Sequence, residues 1–201
     1  MAAEFAAVMS AKPKKAHSFE RVANDWYVEP PEAVDALLDV ERFAGLTLDP
    51  ACGGGNIPER FAARGLHVSG SDLVNRGFGE GGVDFLKCQF GASTYNNVCS
   101  NPPFALADQF IRKALSVARI KVAMLLRFNF FESERRRELF ATTPLARVWV
   151  CEWRLSILPG AAKYSAGAGG RETYAWFVWS LDHRGPPTLH RLRRPPAARP
   201  T

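Results

Sequence analysis

The sequence predicts an α/β domain whose sheet is mostly parallel and closes with an antiparallel hairpin at its C-terminal end. Three observations carry this. Short apolar runs alternate with segments of helical periodicity. A glycine cluster stands between one such run and a helix, and the next strand ends in an acid. The last two strand candidates, Arg147 to Trp153 and Thr173 to Ser180, have only a Gly- and Ala-rich loop between them, as an antiparallel pair requires.

From Pro31, the positions Ala33, Val34, Leu37, Leu38 and Val40 have helical spacing, with Glu32 in the first turn and Gly45 as a stop. Leu46 to Leu48 is a short strand that runs into Asp49-Pro50 and the glycines. Ile57 to Arg64 reads as a helix closed by Gly65, and His67 to Asp72 as the second strand. Val83 to Leu86 is read as the end of a third strand and Asn97 to Ser100 as a fourth. Leu106 to Ala118 is a helix with Phe110, Ile111, Ala114 and Leu115 on one face. Val122 to Leu126 is a fifth strand, and Glu132 to Phe140, with Arg135, Arg136 and Arg137, an exposed helix.

Composition narrows the class of protein. With 201 residues, 47% hydrophobic and 23% charged, the chain can bury one domain's core. No apolar run approaches the roughly 20 residues that span a bilayer. The apolar stretch Met1 to Met9 contains Glu4 and precedes Lys12, Lys14 and Lys15, the reverse of a secretory signal, so a cytoplasmic protein is expected. Cys52, Cys88, Cys99 and Cys151 form no C-x-x-C pair, which suggests reduced thiols and no metal site. Residues 1–18 read as a flexible arm, 19–182 as the domain and 183–201 as a basic Pro- and Arg-rich tail. The net charge of +6 is concentrated in that tail, which holds five arginines and no acid, leaving 21 basic against 20 acidic residues before it. Any nonspecific hold on phosphates is expected there.

Three motifs carry chemistry. The first is Asp49-Pro50-Ala51-Cys52-Gly53-Gly54-Gly55-Asn56, where glycines let the backbone turn tightly and a ligand approach without an intervening Cβ. The dinucleotide pattern G-x-G-x-x-G fails at Pro58, which disfavours a nicotinamide cofactor. The second is Asp72, an acid at a strand end able to accept both hydroxyls of a ribose. The third is Ser100-Asn101-Pro102-Pro103-Phe104. Its prolines fix the backbone, the Asn101 side-chain oxygen and the Pro102 carbonyl can accept both hydrogens of an exocyclic amine, and Phe104 offers an apolar face to a planar group.

In this order the motifs resemble those of the class I S-adenosylmethionine-dependent amino-methyltransferases, over roughly Trp26 to Leu192. The likeness is greatest to phage and prophage adenine-N6 methyltransferase-like proteins, through Tyr27-Val28-Glu29-Pro30, Val122 to Arg127 and Tyr174 to Trp179. The resemblance implies a Rossmann-like class I methyltransferase sheet with helices on both faces and S-adenosyl-L-methionine as cofactor. It implies cofactor contacts from Tyr27, Pro30, Asp49, Ala51, Cys52, Gly53, Gly55, Asp72, Leu73, Asp84 and Phe85, and catalysis by Asn101, Pro102, Pro103 and Phe104. Glu29 stands where many relatives have Thr. The implied reaction is in-line methyl transfer to an amine, foremost adenine N6 in DNA. The alternatives are adenine N6 or guanine N2 in RNA, a protein glutamine, and a silent nucleic-acid-binding subunit. The absence of a Pro-Cys dipeptide excludes cytosine-C5 chemistry. No separate target-recognition domain fits, so specificity is expected from the loop 156–172, with Lys163, Tyr164 and Arg171, or from a partner subunit.

Overall fold

The computed structural model describes residues 26–90, 94–160 and 172–196. The expected arm 1–18 and the loop residues Lys163, Tyr164 and Arg171 lie outside them. Among the described residues, ten strands and four α-helices follow in the order β1 Tyr27–Val28, α1 Pro31–Val40, β2 Thr47–Asp49, α2 Asn56–Ala63, β3 Val68–Asp72, β4 Glu80–Gly81, β5 Tyr95–Ser100, α3 Ala107–Val117, β6 Ala118–Arg127, α4 Arg137–Thr142, β7 Leu145–Cys151, β8 Leu158–Pro159, β9 Tyr174–Ser180 and β10 Thr188–Leu192. Eight strands form one sheet in the order β10-β7-β9-β6-β5-β2-β3-β4. Within it only β9 runs antiparallel, to β6 on one side and β7 on the other, which is the expected hairpin.

The expected helices on both faces follow from the pleat, which sends successive side chains to opposite sides. In β6, Val122, Met124 and Leu126 join the core under α3 and α4, with Phe110, Ile111 and Leu139. Ala123 and Leu125 join the core under α1 and α2, with Val34, Leu37, Ile57 and Phe61. A strand covered on both faces reads as a continuous apolar run, and β9 repeats this with Tyr174 to Trp179 all buried.

Four expectations change. The third strand is Glu80–Gly81, not Val83 to Leu86. Gly82 at φ +81° ends it, and Asp84 then closes a turn by accepting the Leu86 N–H on its side chain (3.1 Å) and the Lys87 and Cys88 N–H groups on its carbonyl. The exposed helix 132–140 is broken into two 3-10 turns, Phe128–Glu132 and Glu134–Arg136, ahead of α4. Extended Ser133 separates them, and Arg136 lies 3.8 Å over the Phe130 ring. The fifth strand is longer than its apolar run, because pairing with β9 extends it over Lys121 to Arg127. Finally, the domain does not end at residue 182: β10 pairs in parallel with β7 and buries Leu192.

Buried Glu41, which caps α1, gathers cations from two strands. It accepts from Lys121 of β6, from Arg147 of β7 and, at 2.9 Å, from Trp149 Nε1. Burial opposes its ionisation, but these bonds hold its pKa below the usual carboxylate value.

Candidate active site

The site forms where the C-terminal ends of β2, β3 and β5 meet, the crevice position of open α/β sheets. Asp49, 1% exposed at the end of β2, accepts from Ser100 Oγ of β5 at 2.7 Å and from the Ala51 N–H at 3.2 Å. The loop after β2 turns through Gly53 (φ +53°) and Gly55 (φ +98°), conformations that favour glycine. A Cβ on Gly55 would stand 2.4 Å from Phe78, and one on Gly53 3.0 Å from Trp26 Nε1. Asp72, ending β3, accepts the Gly53 N–H on Oδ2 at 2.9 Å and the Val74 N–H on Oδ1 at 2.8 Å.

The segment Tyr27–Pro30 is stitched across this crevice. Asn56 Nδ2 donates to the Glu29 carbonyl (2.7 Å), and Asn101 Nδ2 donates to the Tyr27 carbonyl (2.9 Å) and to Glu29 Oε2 (3.0 Å). β1 pairs with β8, Tyr27 opposite Pro159. Pro30 then caps α1, its carbonyl accepting the Ala33 N–H. Burial pushes the Glu29 carboxyl up to about 7 and that of Asp49 up to about 8, with the neighbouring Glu29 carboxyl adding to the rise at Asp49.

A cavity of about 630 Å³ opens between these elements. Of the sequence-predicted residues, Tyr27, Ala51, Asp72, Leu73, Asp84, Phe85, Asn101 and Pro103 line it. Pro30, Asp49, Cys52, Gly53, Gly55, Pro102 and Phe104 do not. The buried Cys52 thiol, pushed up to about 12 by burial, packs beneath Gly70. Phe104 packs against Tyr27 (5.4 Å between ring centroids) and Tyr174, with the Arg127 guanidinium 4.9 Å from its ring. Asp84 pairs with Lys87 at 3.0 Å on the rim, whereas Phe85 is buried against Phe90 and Phe110.

The structure adds wall residues that the motifs did not mark, chiefly Trp26, Arg76, Leu106, Gln109 and Phe110. Arg76 lies 4.1 Å over the Trp26 ring and 3.8 Å from Asp72. Its i, i+4 spacing from Asp72 is the one sequence signal that could have found it. Three buried polar atoms of the lining residues lack hydrogen-bond partners: Trp26 Nε1, Arg76 Nε and Asn101 Oδ1. Trp26 Nε1 and Arg76 Nε, the latter 3.8 Å from Asp72 Oδ1, are donors that suit an anionic group, the unpartnered Asn101 Oδ1 suits an amine, and of the buried carboxyls only Asp72 lines the cavity. Leu73, Val83, Phe85, Leu106 and Phe110 supply apolar walls for a planar ring. Among the described residues no group of His, Cys, Asp and Glu side chains is arranged to hold a metal ion, and no helix is long and apolar enough to cross a membrane.

The fold so defined is shared with solved class I S-adenosylmethionine-dependent methyltransferases. The cavity's donors Trp26 Nε1 and Arg76 Nε, its Asp72 carboxyl and its apolar walls fit S-adenosyl-L-methionine, which carries a carboxylate, a ribose and a purine. Among solved structures, a candidate RNA methyltransferase from Pyrococcus horikoshii superposes with a TM-score of 0.59 at 17% identity, over 84% of this chain and 93% of its own. A candidate class I S-adenosylmethionine-dependent methyltransferase from Listeria monocytogenes gives 0.58 at 14%, over 88% and 68%. The modification subunit of a candidate type I restriction enzyme from Vibrio vulnificus gives 0.57 at 13%, over 92% and 49%. A ubiquinone biosynthesis O-methyltransferase from Aromatoleum aromaticum is 37% identical over 82 residues, and the chain spans about a third of that relative's length (35% of each). No protein-family model matches the chain.

Proposed function

We propose that the chain is an S-adenosylmethionine-dependent N-methyltransferase acting on nucleic acid, with adenine N6 in DNA as its substrate. The observation that carries this reading is the unpartnered, buried Oδ1 of Asn101, held at the cavity wall within Asn101-Pro102-Pro103-Phe104. A buried acceptor without a partner is costly, and an exocyclic amine would satisfy it.

When bound, the cofactor supplies a sulfonium methyl: the amine lone pair forms the N–C bond, the C–S pair stays with sulfur, and the surplus proton leaves to water. In this reading Asn101 Oδ1 holds one amine hydrogen and orients the lone pair, contributing alignment rather than a nucleophile. The Asp72 carboxylate holds the ribose, Leu73, Phe85 and Phe110 enclose the purine, and Trp26 Nε1 and Arg76 meet the carboxylate. Phe104, braced by Tyr27 and Arg127, stacks on the target base, a contact worth roughly 1–3 kcal/mol. For a duplex the base is flipped out, at a cost of a few kcal/mol.

The likeness to the Vibrio modification subunit of a restriction enzyme supports a DNA substrate and a partner subunit. The Pyrococcus RNA methyltransferase supports RNA as the second reading. With such a substrate we place the protein in the cytoplasm. The test is transfer of labelled methyl from S-adenosylmethionine to unmethylated DNA, RNA and lysate protein in parallel. We expect label in DNA adenine, with Asn101→Ala abolishing transfer while cofactor binding by calorimetry persists. Absence of cofactor binding would overturn the enzyme reading, and label confined to RNA or protein would replace the substrate.

A further inference from the structure

We propose that Glu29 is a positioning residue for the methyl-accepting site: with the Tyr27 carbonyl it takes both amide protons of Asn101 and so turns Oδ1 toward the acceptor amine. The inference rests on the reading of Asn101 given above.

An asparagine amide has two nearly isosteric orientations, related by a half-turn about its last bond. In one, the oxygen is the atom left over for the acceptor amine. In the other, the NH₂ donor is left over, and it would oppose an amine that is itself a donor. The backbone turn at Pro102-Pro103 cannot choose between them, because it places the side chain without distinguishing its oxygen from its nitrogen. Two acceptors behind Asn101 make the choice. Nδ2 lies 2.9 Å from the Tyr27 carbonyl and 3.0 Å from Glu29 Oε2, so a flip would set Oδ1 against two oxygens.

The pairing is rigid. Glu29 and Asn101 are 7% and 9% exposed, and the Glu29 backbone is pinned by the 2.7 Å bond from Asn56 and by the start of α1 at Pro31. The Oδ1 left over has no protein partner. The acceptor is thus prepared before any substrate arrives, and the selecting residue lies 72 positions earlier in the chain, on the segment that crosses the crevice.

The experiment compares the wild type with Glu29→Ala and Glu29→Gln. With asparagine ¹⁵N-labelled and Asn101→Ala used for assignment, the Asn101 side-chain amide protons should exchange about ten- to a hundredfold faster in Glu29→Ala, the loss of a hydrogen bond to a charged or polar carboxyl. Glu29→Gln keeps a carbonyl oxygen for Nδ2 and should lie between the two. Labelled-methyl transfer to DNA should fall about a hundredfold in kcat for Glu29→Ala, the scale of a misplaced reacting group, with KM for DNA and cofactor affinity within about threefold. Glu29→Ala combined with Asn101→Ala should be no slower than Asn101→Ala alone. Unchanged amide exchange in Glu29→Ala, or losses that add in the double variant, would overturn the positioning role. If the wild type methylates no DNA yet the amide exchange still depends on Glu29, the substrate reading fails and the orientation of Asn101 by Glu29 stands.

Discussion

The Gly53 N–H donates to Asp72 Oδ2 at 2.9 Å, so the glycine loop after β2 and the acid that ends β3 form one hydrogen-bonded unit. Asp72→Ala removes the acceptor for both Gly53 and Val74. Stability should fall by about 1.5–3 kcal/mol, the range for hydrogen bonds to a charged group. Urea denaturation measures this, and calorimetry should show at least a tenfold weaker hold on S-adenosylmethionine, about 1.4 kcal/mol.

The buried carboxyls of Glu29 and Asp49 make stability depend on pH. A carboxyl whose pKa is raised on folding binds its proton more tightly in the native state than in the unfolded chain. Its contribution is therefore full below the ordinary carboxylate range near ~4 and is lost as pH rises through the folded values, here about 7 for Glu29 and about 8 for Asp49. The melting temperature of the cofactor-free protein should decline across this window, and the decline should be shallower in Glu29→Gln, which has one fewer group to ionise. Superimposable profiles for the two proteins would show that Glu29 is ionised throughout.

Glu41→Ala leaves buried Lys121 without its carboxylate and frees Arg147 and Trp149 Nε1. Breaking a buried pair by removing one partner costs about 3–5 kcal/mol. Denaturant midpoints should report a loss of that size. Because the network lies away from the cavity, the folded fraction should bind cofactor as the wild type does.

The glycine loop contains its own control. A Cβ added to Gly54 would meet nothing within 4 Å, whereas Gly55 combines φ +98° with a Cβ position 2.4 Å from Phe78. Gly54→Ala should change stability by less than about 0.5 kcal/mol, as surface substitutions do. Gly55→Ala should cost about 1–3 kcal/mol, the penalty for a side chain in a sparsely populated backbone region. Thermal melts of the pair would separate backbone strain from a simple need for small residues.

Leu192, 1% exposed on β10, anchors the outermost strand to β7. Leu192→Ala should destabilise by about 2–5 kcal/mol, as expected for truncating a buried leucine. Removing residues 186–201 should also bare the edge of β7 and promote aggregation, detectable by light scattering. A protein indifferent to both changes would return this segment to the role of a tail.

The readable and unreadable parts of the site differ in how they are encoded. Asp49, Gly53, Gly55, Asp72 and Asn101 stand at strand ends, where glycines, prolines and acids punctuate apolar runs, and local chemistry is enough to place them. Glu29 and Arg76 carry no such punctuation. Glu29 acquires its meaning from Asn101, 72 positions away, and Arg76 from Trp26, which it covers only once β3 and the N-terminal segment are side by side. Single residues recruited by distant partners leave almost no periodic signal.

By itself, the sequence determined the alternating architecture, the doubly buried β6 and β9, and the strand-end motifs, because burial on both faces and tight turns demand particular residue types in consecutive positions. Only the tertiary structure decided that the basic C-terminal stretch contributes a strand. Thr188 to Arg191 are largely exposed and Leu192 alone is buried, so the conformation of β10 is imposed by the open hydrogen-bonding edge of β7. Likewise, only the crossing of Tyr27–Pro30 over the end of β5 brought a carbonyl and a carboxyl to the Asn101 amide and left its oxygen without a partner.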